Sequence, residues 1–268
     1  MPFKNNSITA LSNPDYVPVI KDTGISYGGN QMWFPSSNWY SKDYIIHNYG
    51  CGTIAIADMF LYLALQSNEM QTPETFIALR DLGKIEYDNY DSYVRIIHNE
   101  YTKTRRFLAV LGPKAANAIN SYSDIYDLGL DAKWKWKLTY YDMYDMIEEM
   151  LDKDLPVILS IGPNTPNLLG KKGIPFYELR EIEYQDLKEE GKENNKPYYY
   201  KTAHQNVNGH YVTVTAIVKD DVAGRIMLRI SSWGKQYYIN YEEYRDYVEN
   251  LSGTFTSSIV YVKRYKLI

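Results

Sequence analysis

The sequence predicts an α+β fold in which a helical N-terminal half packs against a mainly antiparallel C-terminal sheet. Helix signals dominate before residue 155, and short runs rich in Val, Ile, Thr and Tyr dominate after it. A length of 268 residues, 45% of them hydrophobic and 23% charged, suffices to bury one large core. The expected organisation is a single unit, with a helical lobe over about 30–152 and a sheet lobe over about 155–268.

The first strong element spans 51–66 and is apolar almost all the way round, as a buried helix requires. Next comes 73–81, with Thr72 as its cap and Pro73 at the first helical position. Helices follow at about 91–101, at 113–121 behind Pro113, and at 140–151 behind a Thr139 cap. Between the last two, the alternation of Trp134-Lys135-Trp136-Lys137-Leu138 predicts a short strand. In the second half, strands are expected at 157–161, about 198–204, 210–218, 225–232, 236–239 and 258–263. Asp220, Asp221 and Gly224 supply a hairpin turn, and a helix at 241–248 interrupts the sheet. Residues 162–197, with several prolines and a charged run near their end, read as an insertion or long loop.

Composition excludes several function classes. A net charge of −4 offers no basic field for nucleic acid or an anionic membrane. No apolar run approaches the roughly 18 residues of a membrane span, and residues 1–31 lack the pattern of a secretory signal. The chain therefore reads as soluble, with the choice between cytoplasm and secretion after processing left open. One cysteine rules out an internal disulfide and, with four histidines, argues against a structural zinc site. No metal or organic cofactor is implied. The 28 tyrosines, against 7 Phe and 5 Trp, are expected mostly as amphipathic packing. Tyr198, Tyr199 and Tyr200 are the candidates for lining a groove that takes an extended peptide or sugar chain.

The chemistry centres on Cys51. Lying between Gly50 and Gly52 at the start of the apolar helix, it would meet unpaired N–H groups and the positive end of the macrodipole, both of which favour a thiolate. The glycines would let the backbone turn and leave the sulfur uncovered, and the Cys51 N–H could face an oxyanion. The bland alternative is an inert, buried thiol. His210 is the candidate base. Strand alternation places it with Val212, Val214, Ala216 and Val218 on the more apolar face, and Gly209 before it removes a side chain that would crowd a helix terminus. His204 competes for the role, while His47 and His98 read as loop and helix-surface residues.

Four short motifs carry a family resemblance: Gly50-Cys51-Gly52-Thr53, Leu155-Pro156-Val157-Ile158-Leu159-Ser160, Gly209-His210-Tyr211-Val212 and Ser232-Trp233-Gly234. Their order resembles the papain-like cysteine peptidases, and within them the bacterial branch related to bacteriocin-leader (double-glycine) peptidases. The similarity is patchy and spans about 31–239. It implies a papain-like fold, a peptide or protein substrate, and thioester chemistry at Cys51 with His210. It further implies that Gln31, 20 residues upstream of Cys51, donates to the oxyanion, that Gly50, Gly209 and Trp233 flank the bound substrate, and that Trp233 roofs the histidine. The family's Asn or Asp partner of the imidazole is replaced here by serine. Motif alignment selects Ser231 and face parity selects Ser232; a bulge near the Trp233-Gly234 corner would reset the parity, which favours Ser231, with Asn240 and Asp58 as distant alternatives. A scaffold of this type without turnover, serving to bind peptide or glycan or to mediate assembly, is the competing expectation.

Overall fold

Strands from both halves of the chain build the main sheet. The structure, a computed structural model, describes residues 7–79, 84–107, 109–166, 172–181, 198–220 and 223–265. The N-terminal part contributes β1 (Ser7–Ala10), β2 (Val19–Lys21), β3 (Gly24–Ile25), α1 (Lys42–Tyr49), α2 (Cys51–Gln66), α3 (Pro73–Ala78), β4 (Ile85–Glu86) and α4 (Tyr87–Ile96). After a π-helical turn at Ile97–Thr102 come α5 (Gly112–Tyr126), β5 (Leu130–Lys135) and α6 (Tyr140–Asp152). The C-terminal part contributes β6 (Val157–Ile161), β7 (Ile174–Glu181), β8 (Tyr198–Val207), β9 (His210–Asp220), β10 (Arg225–Ser232), β11 (Lys235–Asn240), α7 (Tyr241–Tyr247) and β12 (Ile259–Arg264).

The fold is α+β. The main sheet runs β5-β12-β6-β9-β10-β11-β7-β8, antiparallel throughout. One edge of β9 is shared: β6 pairs with its first half, from His210 to Val214, and β1 with its second, from Ala216 to Lys219. Strands β5 and β1 thus come from the half expected to be helical. The stretch 162–197, expected as a loop, contains β7 where described. Its period-2 burial over Ile174, Phe176 and the intervening residues is too short to stand out beside the charged run that follows.

Several boundaries moved for local reasons. Helix α5 begins one residue before Pro113 and runs to Tyr126, ending on Asp127 in the left-handed region. Helix α4 starts earlier than 91 because Tyr90 already belongs to its inward stripe, which continues through Tyr93 and Val94. Strand β5 lies four residues upstream of the expected Trp/Lys alternation, and its register with β12 runs from Leu130↔Arg264 to Lys135↔Ile259. The end of the expected 73–81 helix and part of the 220–224 turn lie outside the described residues; within that turn Gly224 has φ +63° and Asp220 accepts from the Ala223 N–H.

Tyrosine is largely structural, as seven of the largest fully buried side chains are Tyr16, Tyr62, Tyr90, Tyr93, Tyr122, Tyr241 and Tyr244. Tyr244 and Tyr247 donate to the carbonyls of Ser160 and Gly162, fastening α7 over the end of β6. Tyr200 packs against Tyr238 in a small second cluster with Val218 and Met227. No single helix among the described residues is long and apolar enough to cross a membrane.

Candidate active site

Cys51 is the first residue of α2 because the chain turns by 87° between α1 and α2 at Gly50. The Gly50 N–H closes α1 on the Ile46 carbonyl at 2.8 Å, and a Cβ there would approach that oxygen to 2.3 Å. From Cys51 to Ala64 every residue of α2 is buried, which fixes the helix as the central element of the core. Its first turn is tied down by Thr53, whose hydroxyl meets Thr102 Oγ1 at 2.8 Å and Thr104 Oγ1 at 3.0 Å. The backbone N–H groups of Tyr211, Gly52 and Cys51 itself face the sulfur. Burial nevertheless outweighs them and pushes the thiol above its ordinary value. The expected acidified, uncovered sulfur is therefore corrected: Cys51 is 6% exposed, with Val110 and the Tyr211 ring closing over Gly52 beside it.

His210 opens β9, where Ile161 of β6 is its pairing partner. Its Nε2 lies 2.8 Å from Ser232 Oγ, and the Trp233 ring stacks on it at 4.5 Å with planes 22° apart. Phe176 of β7 and His204 of β8 complete this aromatic roof against Trp233. Burial, and secondarily the nearby His204 ring, drive the imidazole down to about 3, so it is neutral at ordinary pH. Among the described residues, its Nδ1 has no hydrogen-bond partner. Gly209 serves a different purpose from the one expected: a side chain there would meet nothing within 4 Å, but φ is +58°, a left-handed turn that suits glycine.

The serine ambiguity resolves by register. Ser231 pairs with Thr213, so Ser231 shares a face with Thr213 and Tyr211, whereas Ser232 shares one with His210. Ser231 Oγ donates to the Tyr27 carbonyl at 2.8 Å and does not touch the imidazole. A bulge does exist, but it inserts Thr215 into β9, upstream of the corner, and leaves the parity of β10 intact. It also redirects β9: the face of Val212 and Val214 continues through Ile217, while Val218 joins the cluster with Met227 and Tyr238. The expected continuation through Ala216 and Val218 is therefore wrong beyond Val214. Asn240 caps α7 by accepting from Glu242 and Glu243 and takes no part in the site. His98, read as a surface residue, is 4% exposed, and the His47 ring bonds the Phe34 carbonyl.

Gln31, Cys51, His210, Ser231, Ser232 and Trp233 all line one small cleft. About 20 Å³ of it is open to the centre of a water molecule, room for one water. Gln31 Nε2 donates to the His47 carbonyl at 2.8 Å, which leaves its second amide hydrogen for the cleft. Cys51 and His210 border the same space, yet no hydrogen bond joins them. Asp58 lines it as well, one of the few ionisable groups in so apolar a helix. Spacing places it two turns from Cys51, and a lone carboxylate inside an apolar run is the signal that marks it.

Among the described residues, no group of three or more His, Cys, Asp or Glu could hold a metal ion. Comparison with known protein families matches no family model to this chain, and comparison with curated proteins matches none of their sequences.

Proposed function

We propose that this protein is a papain-like thiol hydrolase that cleaves peptide or related amide bonds through a thioester on Cys51. One observation carries the reading: four separate segments bring Cys51, His210 with its Ser232 partner and Trp233 roof, and Gln31 to a single cleft. With Nε2–H donated to Ser232 Oγ, the imidazole lone pair lies on Nδ1, the other ring nitrogen. The resting pair is a neutral thiol and a neutral imidazole, so His210 acts as a general base during attack.

In the first half-reaction the Cys51 S–H proton passes to Nδ1 as sulfur bonds the substrate carbonyl carbon. The negative oxygen is met by the Cys51 N–H and the free amide hydrogen of Gln31, contacts that strengthen as charge develops. Collapse breaks the C–N bond, and the imidazolium returns its proton to the departing amine. Water then attacks the thioester, giving its proton to His210 and its oxygen to the acid. The S–H bond reforms as the acid leaves. Ser232 offers the ring a hydroxyl and no charge, so it orients the imidazole but stabilises an imidazolium less than a carboxylate would.

A second reading, a non-catalytic module of the same scaffold, is favoured by the absence of a Cys51–His210 hydrogen bond and by the small volume of the cleft. Hydrolysis of a mixed-sequence peptide pool in ¹⁸O-water separates the two. The hydrolase incorporates ¹⁸O into new carboxyl termini, and Cys51→Ala does not. Peptide binding by the wild type with no labelled termini would establish the second reading.

A further inference from the structure

A buried carboxyl group joins the helix of the nucleophile to the loop of the oxyanion donor. Asp58 is 1% exposed, on the face of α2 that also presents Cys51, Ile54 and Ala55 to the cleft. One of its oxygens accepts from the Gly29 N–H at 2.9 Å and the other from the Tyr90 hydroxyl at 2.7 Å. No cation faces it. The groups around it are Tyr90 from α4, Tyr16 and the Gly28-Gly29 backbone from the N-terminal segment, and Ser231 from β10. A buried acid with no counter-charge is costly to keep, and stability alone does not explain one beside a reactive cleft.

The loop it holds has little freedom. Gly28 has φ +80°, and a Cβ there would lie 2.2 Å from Ser231 Oγ and 2.7 Å from Asp58 Oδ2. At Gly29 a Cβ would lie 1.6 Å from the Tyr90 hydroxyl. On its other side the loop exchanges hydrogen bonds with the Trp233-Gly234 corner: Tyr27 N–H to the Gly234 carbonyl at 2.9 Å, and Gly234 N–H to the Gly29 carbonyl at 2.8 Å. Two residues beyond Gly29 is Gln31. Asp58 therefore clamps one short loop that reaches Gln31 at one end and, through Gly234 and Ser231, the roof of His210 at the other.

We infer that Asp58 is a positioning residue for acyl transfer: by holding the Gly29 N–H it sets the Gln31 amide against the carbonyl oxygen that Cys51 attacks. This rests on the thiol-hydrolase reading. It separates two reactions of one sulfur. Acylation by p-nitrophenyl acetate passes through an oxyanion and needs Gln31, whereas alkylation by iodoacetamide displaces iodide and forms no oxyanion.

The test measures both rates at Cys51 in wild type, Asp58→Asn, Gln31→Ala and the double variant, with Tyr90→Phe as a milder change that keeps the carboxyl group. Asp58→Asn should slow acylation by roughly ten-fold or more, in the range reached when an oxyanion donor is displaced, with alkylation changed by less than about two-fold. In the Gln31→Ala background Asp58→Asn should have no further effect, because the two act through one contact. Tyr90→Phe should lower the same ratio less, and it serves alone if Asp58→Asn does not fold. Equal loss of both rates, or full additivity with Gln31→Ala, would overturn the positioning role. Acylation of the wild type that is unchanged by His210→Ala would instead remove the hydrolase reading beneath it.

Discussion

Asp58 and His210 should impose opposite pH dependences on stability, and removing either should expose the other. Burial raises the Asp58 carboxyl from 3.8 to about 7. Between those values the folded state holds a proton that the unfolded state has lost, so stability falls as pH rises. His210 is driven from 6.5 down to about 3. Over that interval the unfolded state holds the extra proton, and stability rises with pH. Each contributes up to about 1.4 kcal/mol per pH unit, so between about pH 4.5 and about pH 6 the two nearly cancel. Asp58→Asn removes the falling contribution. Its stability relative to wild type should then climb by up to about 2 kcal/mol across that window. His210→Gln should show the mirror image, a relative loss of similar size as pH rises. Urea unfolding followed by tryptophan fluorescence, at matched ionic strength and a series of pH values, gives both difference curves. Flat differences for both variants would refute the burial argument, and slopes of the same sign would refute the assignment of charge states.

Four further outcomes follow from the geometry. Ser232→Ala should slow acylation of Cys51 by roughly ten-fold by freeing the imidazole, whereas Ser231→Ala, which loses the Tyr27 carbonyl bond of the loop but leaves the imidazole held, should slow it much less; stopped-flow release of nitrophenolate reads both. Gly28→Ala should destabilise the fold by at least about 1–3 kcal/mol, since it combines a left-handed backbone with contact against Ser231 and Asp58, and a neutral result in urea titration would contradict the packing. Alkylation of Cys51 by iodoacetamide should be slow near pH 6 and rise steadily through alkaline pH, as burial requires; a fast acidic plateau would reveal an ion pair instead. Trp233→Ala should open the roof and move the His210 titration upward toward the ordinary imidazole range, which an NMR titration of the ring detects.

Much of the candidate site, as the residues that share one cleft, was legible because its parts sit at motif-bearing junctions. Cys51 between glycines before an apolar run, His210 opening a strand and Trp233-Gly234 ending another are local patterns, and local patterns survive in a sequence. What stayed hidden depends on pairing. The choice between Ser231 and Ser232 needed the register of β10 on β9, and the inserted Thr215 that changes the face of β9 has no sequence signature. Charge states were misjudged for a related reason. A helix start favours a thiolate, but the closure by Val110 and Tyr211 over Gly52, beside Cys51, comes from segments far away in the chain. Strand β7 was missed because Ile174 to Glu181 grades into a charged run, and β1 because its four residues acquire meaning only on the free half of the β9 edge. Asp58 was visible as a lone acid in an apolar helix, yet its two partners, at Gly29 and Tyr90, lie on different elements.

The most direct measurement is the single-turnover rate at which p-nitrophenyl acetate acetylates Cys51 at neutral pH, in wild type and in His210→Ala, with the modified residue mapped by mass spectrometry. A base poised on the thiol predicts one nitrophenolate released per chain in a rapid phase confined to Cys51, slowed by about a hundred-fold or more when the imidazole is removed. Equal rates in the two proteins, or acetylation spread over other residues, would mean that the sulfur and the ring share a cleft without sharing a reaction.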